Sequence, residues 1–265
     1  MGGTVDVAIT RAVPPTLLRC ELLFREREPI DLERAVAQHS AYVALLRGLA
    51  LDVIELPADS ALPDSCFVED VAVVLDELAI LTMPGAASRR GEIPAVERTL
   101  ARFRPLARVE LPATLEGGDV LRVGRTLYVG RSPRTNDAGI ERLRALAEPL
   151  GYRVLPVTVT GCLHLKSAVT ALDDARIVTN RAWIDDAPLR DRERVEVAPE
   201  EPAAANVLAV NGVVVVHPGF SRTRDRIAAL GYDVRPLDIS EFLKAEAALT
   251  CKSLVFRRQL AITPA

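Results

Sequence analysis

Short apolar runs, broken by Gly, Asn or acidic pairs, alternate along this chain with amphipathic stretches. VAVVLDELAILT (71 to 82) reads as a β-hairpin turning at Asp76 and Glu77. EIPAVERTLARF (92 to 103) reads as an amphipathic helix with Pro near its start, and ARVELPA (107 to 113) as a returning strand. The same order follows at once. VLRVGRTLYVG turns at Gly124, a helix opens at Asn136 or Asp137 and closes at Gly151, and YRVLPVTV returns. A third pass gives AVTALDDARIVTN, a polar stretch over 183 to 194 with only weak helical character, and VEVAP. A fourth gives VLAVNGVVVVHPG with an Asn-Gly turn at 211 and 212, the helix SRTRDRIAALG, and YDVRPLDI.

A fifth unit must be shared between the ends of the chain. LTCKSLVFRR supplies one strand, while VDVAITRAV, a helix from about Asp31 to Leu49, and LDVIELPA supply the rest. Pairing the two ends would close a ring and remove an open sheet edge. The fold class is therefore α/β: five pseudo-symmetric ββαβ units arranged as a propeller, with residues 1 to 265 forming one domain. Each unit is introduced by a short link bearing an ionisable or amide side chain: Asp70, Glu116 with Asp119, His164, Asn206 and Cys251. These links recur about every 42 to 49 residues, the range of repeated supersecondary units. A closed ring would aim them all at one axis.

Composition is compatible with a packed enzyme-sized domain and narrows its partners. The 265 residues are 49% hydrophobic and 26% charged, with a formal net charge of −3 and interspersed signs. No basic stripe marks a nucleic-acid surface, and no apolar run is long enough to span a bilayer. The N-terminus lacks the basic and apolar regions of an export signal. Cys20, Cys66, Cys162 and Cys251 show no CxxC pairing or metal-finger spacing, so free thiols in a reducing cytoplasm are expected. A homodimer is one assembly that the sequence leaves open.

Taken singly, the link residues have ordinary structural readings: a small buried cysteine, a satisfied histidine, a Gly-Gly turn at Glu116. Their common phase changes this. A thiol is a weak nucleophile until a nearby positive charge lowers its pKa, which protonated His164 or a cationic substrate would supply. Glu116 would fix the imidazole's orientation. Asp64, Glu69 and Asp70 crowd beside the apolar strand VAVV, where like charges repel unless a cation joins them. A planar guanidinium suits such a clamp. A metal is not expected, since no histidine lies near these acids in sequence.

The segments LPDSCFVEDVAVV, MPGAASRRGE, LEGGDVL, VGRSPRTN, LHLKS and LTCKS, in this order, resemble dimethylarginine dimethylaminohydrolase, a guanidino-group-modifying family of the pentein superfamily. The resemblance implies a five-bladed propeller that hydrolyses Nω-methylated arginines to citrulline and a methylamine without a cofactor. It implies Cys251 as nucleophile, His164 as proton donor and Glu116 as its orienting acid. By the same resemblance Glu69 and Asp70 bind the guanidinium, and Arg89 and Arg134 hold the substrate α-carboxylate. Asp64, Leu22 and the Ala245 backbone contact the α-amino end, and the segment from about Thr16 to Pro29 moves as a lid.

Two departures qualify the substrate. The Asp-Gly pair usual before the nucleophile is replaced by Lys244-Ala245-Glu246-Ala247-Ala248, and Lys252 follows the nucleophile. Strand alternation would turn Lys252 outward to the surface. The alternatives are a hydrolase for another guanidine, such as arginine, hydroxyarginine or a biosynthetic intermediate, or a non-catalytic pentein that binds a large partner.

Overall fold

The computed structural model describes residues 6–258. β1 (Asp6–Arg11), α1 (Leu32–Gly48) and β2 (Asp52–Leu56) open the chain. Asp31 caps α1 by accepting a hydrogen bond from the Arg34 N–H, which satisfies one of the free donors of the first turn. β1 pairs in parallel with β2 and antiparallel with the last strand, β15 (Leu254–Arg257), placing Val7 opposite Phe256 and Ile9 opposite Leu254. The first and last described strands thus share one sheet.

Three further units follow one recipe: an antiparallel hairpin, a crossover helix, and a third strand parallel to the second. They comprise β3 (Ala72–Val74), β4 (Ala79–Leu81), α2 (Ile93–Leu100) and β5 (Leu106–Arg108); then β6 (Val120–Val123), β7 (Thr126–Arg131), α3 (Asp137–Ala147) and β8 (Arg153–Thr158). After the short α4 (Leu165–Ala168) the unit β9 (Val169–Ala171), β10 (Arg176–Thr179) and β11 (Glu193–Glu196) differs. Its crossover is two 3-10 turns, Arg181–Trp183 and Ala187–Leu189, rather than a helix. Asn180 and Asp185 there accept bonds from Ala182 and Ala187 N–H groups, a local alternative to helical pairing. The recipe resumes with β12 (Leu208–Val210), β13 (Val213–Val216), α5 (Ser221–Ala228) and β14 (Asp233–Pro236), followed by α6 (Ser240–Leu243). Asn211 and Gly212, with φ of 48° and 80°, form the tight turn of the β12–β13 hairpin.

Each sheet thus has three strands, and β15, β3, β6, β9 and β12 are the edge strands that line the central axis. The apolar interior is divided among the blades. Ile140 and Leu143 of α3, for example, pack on Leu127 and Val129 of β7 and reach Val73 and Ile80 of the neighbouring sheet. Four of the five axial strands are introduced by a tight helical turn: Val68–Val71, Gly117–Asp119, α4 and Thr250–Lys252. The first contacts the second and the fourth, and α4 contacts the second. This ring of turns, rather than the strands, carries the link residues.

Candidate active site

The Gly-Gly pair of the LEGGD segment explains how the turns come so close. A Cβ on Gly117 would lie 1.9 Å from the Glu69 carbonyl oxygen, and one on Gly118 would lie 2.6 Å from Asp70 Oδ1 and 2.7 Å from His164 Nδ1. Only glycine permits that approach. The Gly118 N–H then donates to Asp70 Oδ1 at 2.9 Å. His164 immediately precedes α4, and its Nε2 meets Glu116 Oε2 at 2.6 Å while Nδ1 lies 3.9 Å from Asp70 Oδ1. Glu116 is fully buried, and its other oxygen accepts the Gly85 N–H at 3.0 Å. Cys251 sits in the Thr250–Lys252 turn, where its Sγ accepts the Ala248 N–H at 3.4 Å.

Electrostatics assigns distinct states to these groups. Burial opposes a charge on His164, but Asp70, the Glu116 hydrogen bond and Asp119 together outweigh it and push the imidazole up to about 9. Burial alone would raise the Asp70 carboxyl, yet His164, Arg89 and the Gly118 N–H hold it below the usual carboxylate range. Burial, reinforced by Glu69 and Asp70, pushes the Cys251 thiol up to about 12. At neutral pH the site therefore contains an imidazolium at His164, a carboxylate at Asp70 and a protonated thiol at Cys251. Bringing a cation beside Sγ would reverse the last of these. Asp70, Glu116 and His164 also bring polar atoms within 4.8 Å of one another, but an imidazolium has no free lone pair to give a metal.

A small cavity of about 20 Å³ lies at the N-terminal ends of the axial strands, walled by Asp64, Asp70, Arg89, Arg134, His164, Ala245 and Cys251 among others. Seven widely separated residues predicted from sequence thus line one space. Glu116 stands directly behind His164. Leu22 and Glu69 are the two predicted contacts that its walls do not include. Leu22 packs against the apolar cluster of α1. Glu69 points along the axis, where its carboxylate accepts Lys166 Nζ at 2.5 Å and Thr250 Oγ1 at 2.9 Å. It faces a larger depression of about 990 Å³ along the axial strands.

The two arginines differ. Arg89 is buried and engaged, donating to Asp70 Oδ2 at 2.6 Å, to both oxygens of Glu92 and to the Phe67 carbonyl at 3.0 Å. Arg134 makes a looser ion pair with Glu116, at 3.8 Å. Asp64 takes the Glu21 N–H on both oxygens, at 3.1 and 3.2 Å, and burial raises its carboxyl.

Lys252 corrects an expectation. Its side chain is not on the surface but fully buried, with Nζ 3.6 Å from the centre of the Phe242 ring and 4.7 Å from that of Tyr42. The alternation argument fails because Thr250–Lys252 is a 3-10 turn, in which successive side chains rotate by roughly 120°. Other participants had weaker sequence signals. Asn206, placed by repeat phase alone, accepts the Thr250 N–H at 3.1 Å and donates to Thr250 Oγ1 and the Lys166 carbonyl, both at 2.9 Å, fixing the turn that carries Cys251. Glu246, at φ 55°, accepts the N–H groups of Leu23, Phe24 and Arg25 at 3.0, 2.6 and 2.5 Å. That clasp ties residues 23–25 to the loop before Cys251, beside the cavity that Glu21 and Glu246 help wall.

A propeller of five three-stranded blades that delivers a thiol, an imidazole and carboxylates to one buried cavity defines a pentein of the guanidino-modifying, cysteine-dependent class. Within it, the chain belongs to the dimethylarginine dimethylaminohydrolase family. The family model described as N,N dimethylarginine dimethylhydrolase, eukaryotic, matches residues 21–200. The N(G),N(G)-dimethylarginine dimethylaminohydrolase of Streptomyces coelicolor is 42% identical over 94% of this chain and 96% of its own. That of Pseudomonas aeruginosa is 38% identical over 85% and 90%. The structure of a Cys-to-Ser mutant of the Pseudomonas aeruginosa enzyme complexed with citrulline superposes with a TM-score of 0.91, at 35% identity, over 96% of this chain and 100% of that one.

Proposed function

We propose that this protein hydrolyses Nω-methylated L-arginine to L-citrulline and a methylamine, with Cys251 as nucleophile. The observation that carries this reading is the convergence of Cys251, His164 and Asp70, each from a different blade, on one cavity, with Glu116 bonded behind His164. A guanidinium held by Asp70 brings its charge beside Sγ, and the thiol loses its proton to solvent as substrate binds. The thiolate attacks the guanidinium carbon. Imidazolium of His164, kept protonated by Asp70 and Glu116, donates its proton to the departing methylamine nitrogen as the C–N bond breaks. An alkylthiouronium on Cys251 remains. Now neutral, His164 takes a proton from water, whose oxygen attacks the same carbon; the C–S bond breaks and citrulline leaves.

Arg134 is the cation best placed for the substrate carboxylate, because Arg89 is already saturated by Asp70 and Glu92. Asp64 and the Ala245 backbone face the amino end. All four cysteines are free, which supports a reducing cytoplasmic setting. Among the described residues no helix is long and apolar enough to cross a membrane.

A second reading, hydrolysis of another guanidine, is favoured by one observation: Glu21 and Glu246 join Asp64 in walling the cavity. Citrulline assays with asymmetric dimethylarginine, monomethylarginine and arginine, on wild type and Cys251→Ser, separate the two. Preferential turnover of a methylated substrate, lost in Cys251→Ser, supports the first; preferential turnover of arginine supports the second. No citrulline from any of them would refute the first and weaken the second.

A further inference from the structure

Asp119, four residues after the proline-free start of the LEGGD segment, has no part in the steps above, yet it is fully buried and lies at the meeting point of three loops. Its Oδ1 accepts the Leu165 N–H at 2.9 Å, so it holds the residue next to His164. Its Oδ2 accepts Ser132 Oγ at 2.6 Å and Thr135 Oγ1 at 2.7 Å. Each hydroxyl passes the constraint on. Ser132 Oγ accepts the Arg134 N–H at 3.0 Å, and Thr135 Oγ1 accepts the Glu116 N–H at 3.1 Å. One carboxylate therefore ties together the backbone of the proton donor, of its acidic partner and of the loop bearing Arg134.

The surroundings are built to admit this group. A Cβ on Gly130 of β7 would lie 2.4 Å from Asp119 Oδ1 and 3.0 Å from Leu165 Cβ. Burying a carboxylate is costly; three hydrogen bonds and the nearby imidazolium offset part of the cost, and burial still leaves the carboxyl raised to about 6. An amide would not serve equally: its NH₂ end cannot accept either the Leu165 N–H or the two hydroxyls.

We propose that Asp119 is a positioning residue for the reaction, setting the distance between His164 and Glu116 through Leu165 and Thr135 and contributing its charge to the imidazole's field. The proposal rests on the catalytic roles assigned above. The charged groups around His164 are Asp70 and Glu116 at its two nitrogens, Asp119 behind its backbone, and Arg89 and Arg134 beyond the first two; the neutral thiols beside it are Cys251 across the cavity and Cys162, which donates to the His164 carbonyl at 3.2 Å. Removing one negative charge from this set must lower the proton affinity of the ring.

The test combines an activity-free and an activity readout. Imidazole NMR titration of His164, one of only three histidines, is performed on wild type, Asp119→Asn, Thr135→Val and Ser132→Ala, alongside kcat and KM for citrulline formation. Asp119→Asn should lower the His164 midpoint and cut kcat about 100-fold, the scale expected of a misplacement near 1 Å, with a smaller change in KM. Thr135→Val should cut kcat with the His164 midpoint in place, since the charge stays. A folded Asp119→Asn with an unmoved midpoint and kcat within about twofold of wild type overturns the proposal. If Asp119→Asn does not fold, Thr135→Val and Ser132→Ala decide: wild-type kcat in both overturns it, and a fall in kcat for Thr135→Val supports it. A wild type that makes no citrulline would refute the reaction instead, and the His164 midpoint in Asp119→Asn would then settle the charge coupling by itself.

Discussion

Replacing Lys252 by Met should stabilise the protein, and by an amount that depends on pH. The ammonium is fully buried without a hydrogen-bond partner among the described residues. Burial, only partly opposed by Cys66 and Cys251, brings the amine down to about 7 from the ordinary 10.5. At about 1.4 kcal/mol for each tenfold change in proton affinity, the charged form is penalised by roughly 4 to 5 kcal/mol. The Phe242 and Tyr42 rings return about 2 kcal/mol through cation–π attraction in this desolvated site. Met, similar in length and apolar, avoids both terms, so Lys252→Met should gain on the order of 2 to 3 kcal/mol at pH 7. The sign with pH follows from proton binding: the unfolded chain keeps this proton to about pH 10.5 while the folded chain releases it at lower pH. Wild-type stability therefore rises through that window and the advantage of Met shrinks toward zero. His39, which burial and then the Lys252 charge push down to about 3, affects stability only on the acid side of this window. Urea unfolding between about pH 6 and pH 10, followed by the single tryptophan, Trp183, measures the difference. A variant less stable than wild type at pH 7, or a gain that does not change with pH, would refute the reasoning.

Other perturbations bear on catalysis. Asp70→Asn removes the charged partner of a bound guanidinium and leaves Arg89 with Glu92 alone, so kcat/KM should fall by roughly 100-fold or more, the kinetic equivalent of losing about 3 kcal/mol from a buried pair. The alkaline limb of kcat/KM should lie near pH 9, where His164 of the free enzyme gives up its proton; Glu116→Gln should move that limb to lower pH, and an unmoved limb would count against His164 as the donor. Glu246→Ala removes the acceptor shared by three N–H groups, so trypsin should cut faster at Arg25 and Arg27 while the thermal midpoint changes little. Unchanged cleavage would mean that the clasp does not hold the segment.

The hairpins and crossover helices were legible because local chemistry decides them: the Asn211–Gly212 turn, the Asp31 and Asn136 caps, and the switch between two- and three-to-four-residue apolar spacing all agree with the ring. The convergence of Asp70, Glu116, His164 and Cys251 was legible from repeat phase. What phase could not convey is direction within a link. Links that read as strand starts are helical turns, so adjacent residues diverge: Asp70 faces the cavity and Glu69 the axial depression, while Cys251 faces the site and Lys252 the Tyr42–Phe242 pocket. The saturation of Arg89 was hidden for another reason. Its partner Asp70 lies 19 positions away, on the turn before β3, while Arg89 follows β4, so the two meet only when the β3–β4 hairpin forms.

The covalent step is the centre of the account, and rapid quenching of enzyme with monomethylarginine, followed by peptide mass spectrometry, tests it most directly. A thiouronium adduct should be found on the peptide containing Cys251, should accumulate when His164→Gln slows its hydrolysis, and should be absent from Cys251→Ser. Citrulline formation at the wild-type rate by Cys251→Ser, or an adduct on Cys20, Cys66 or Cys162 instead, would contradict it.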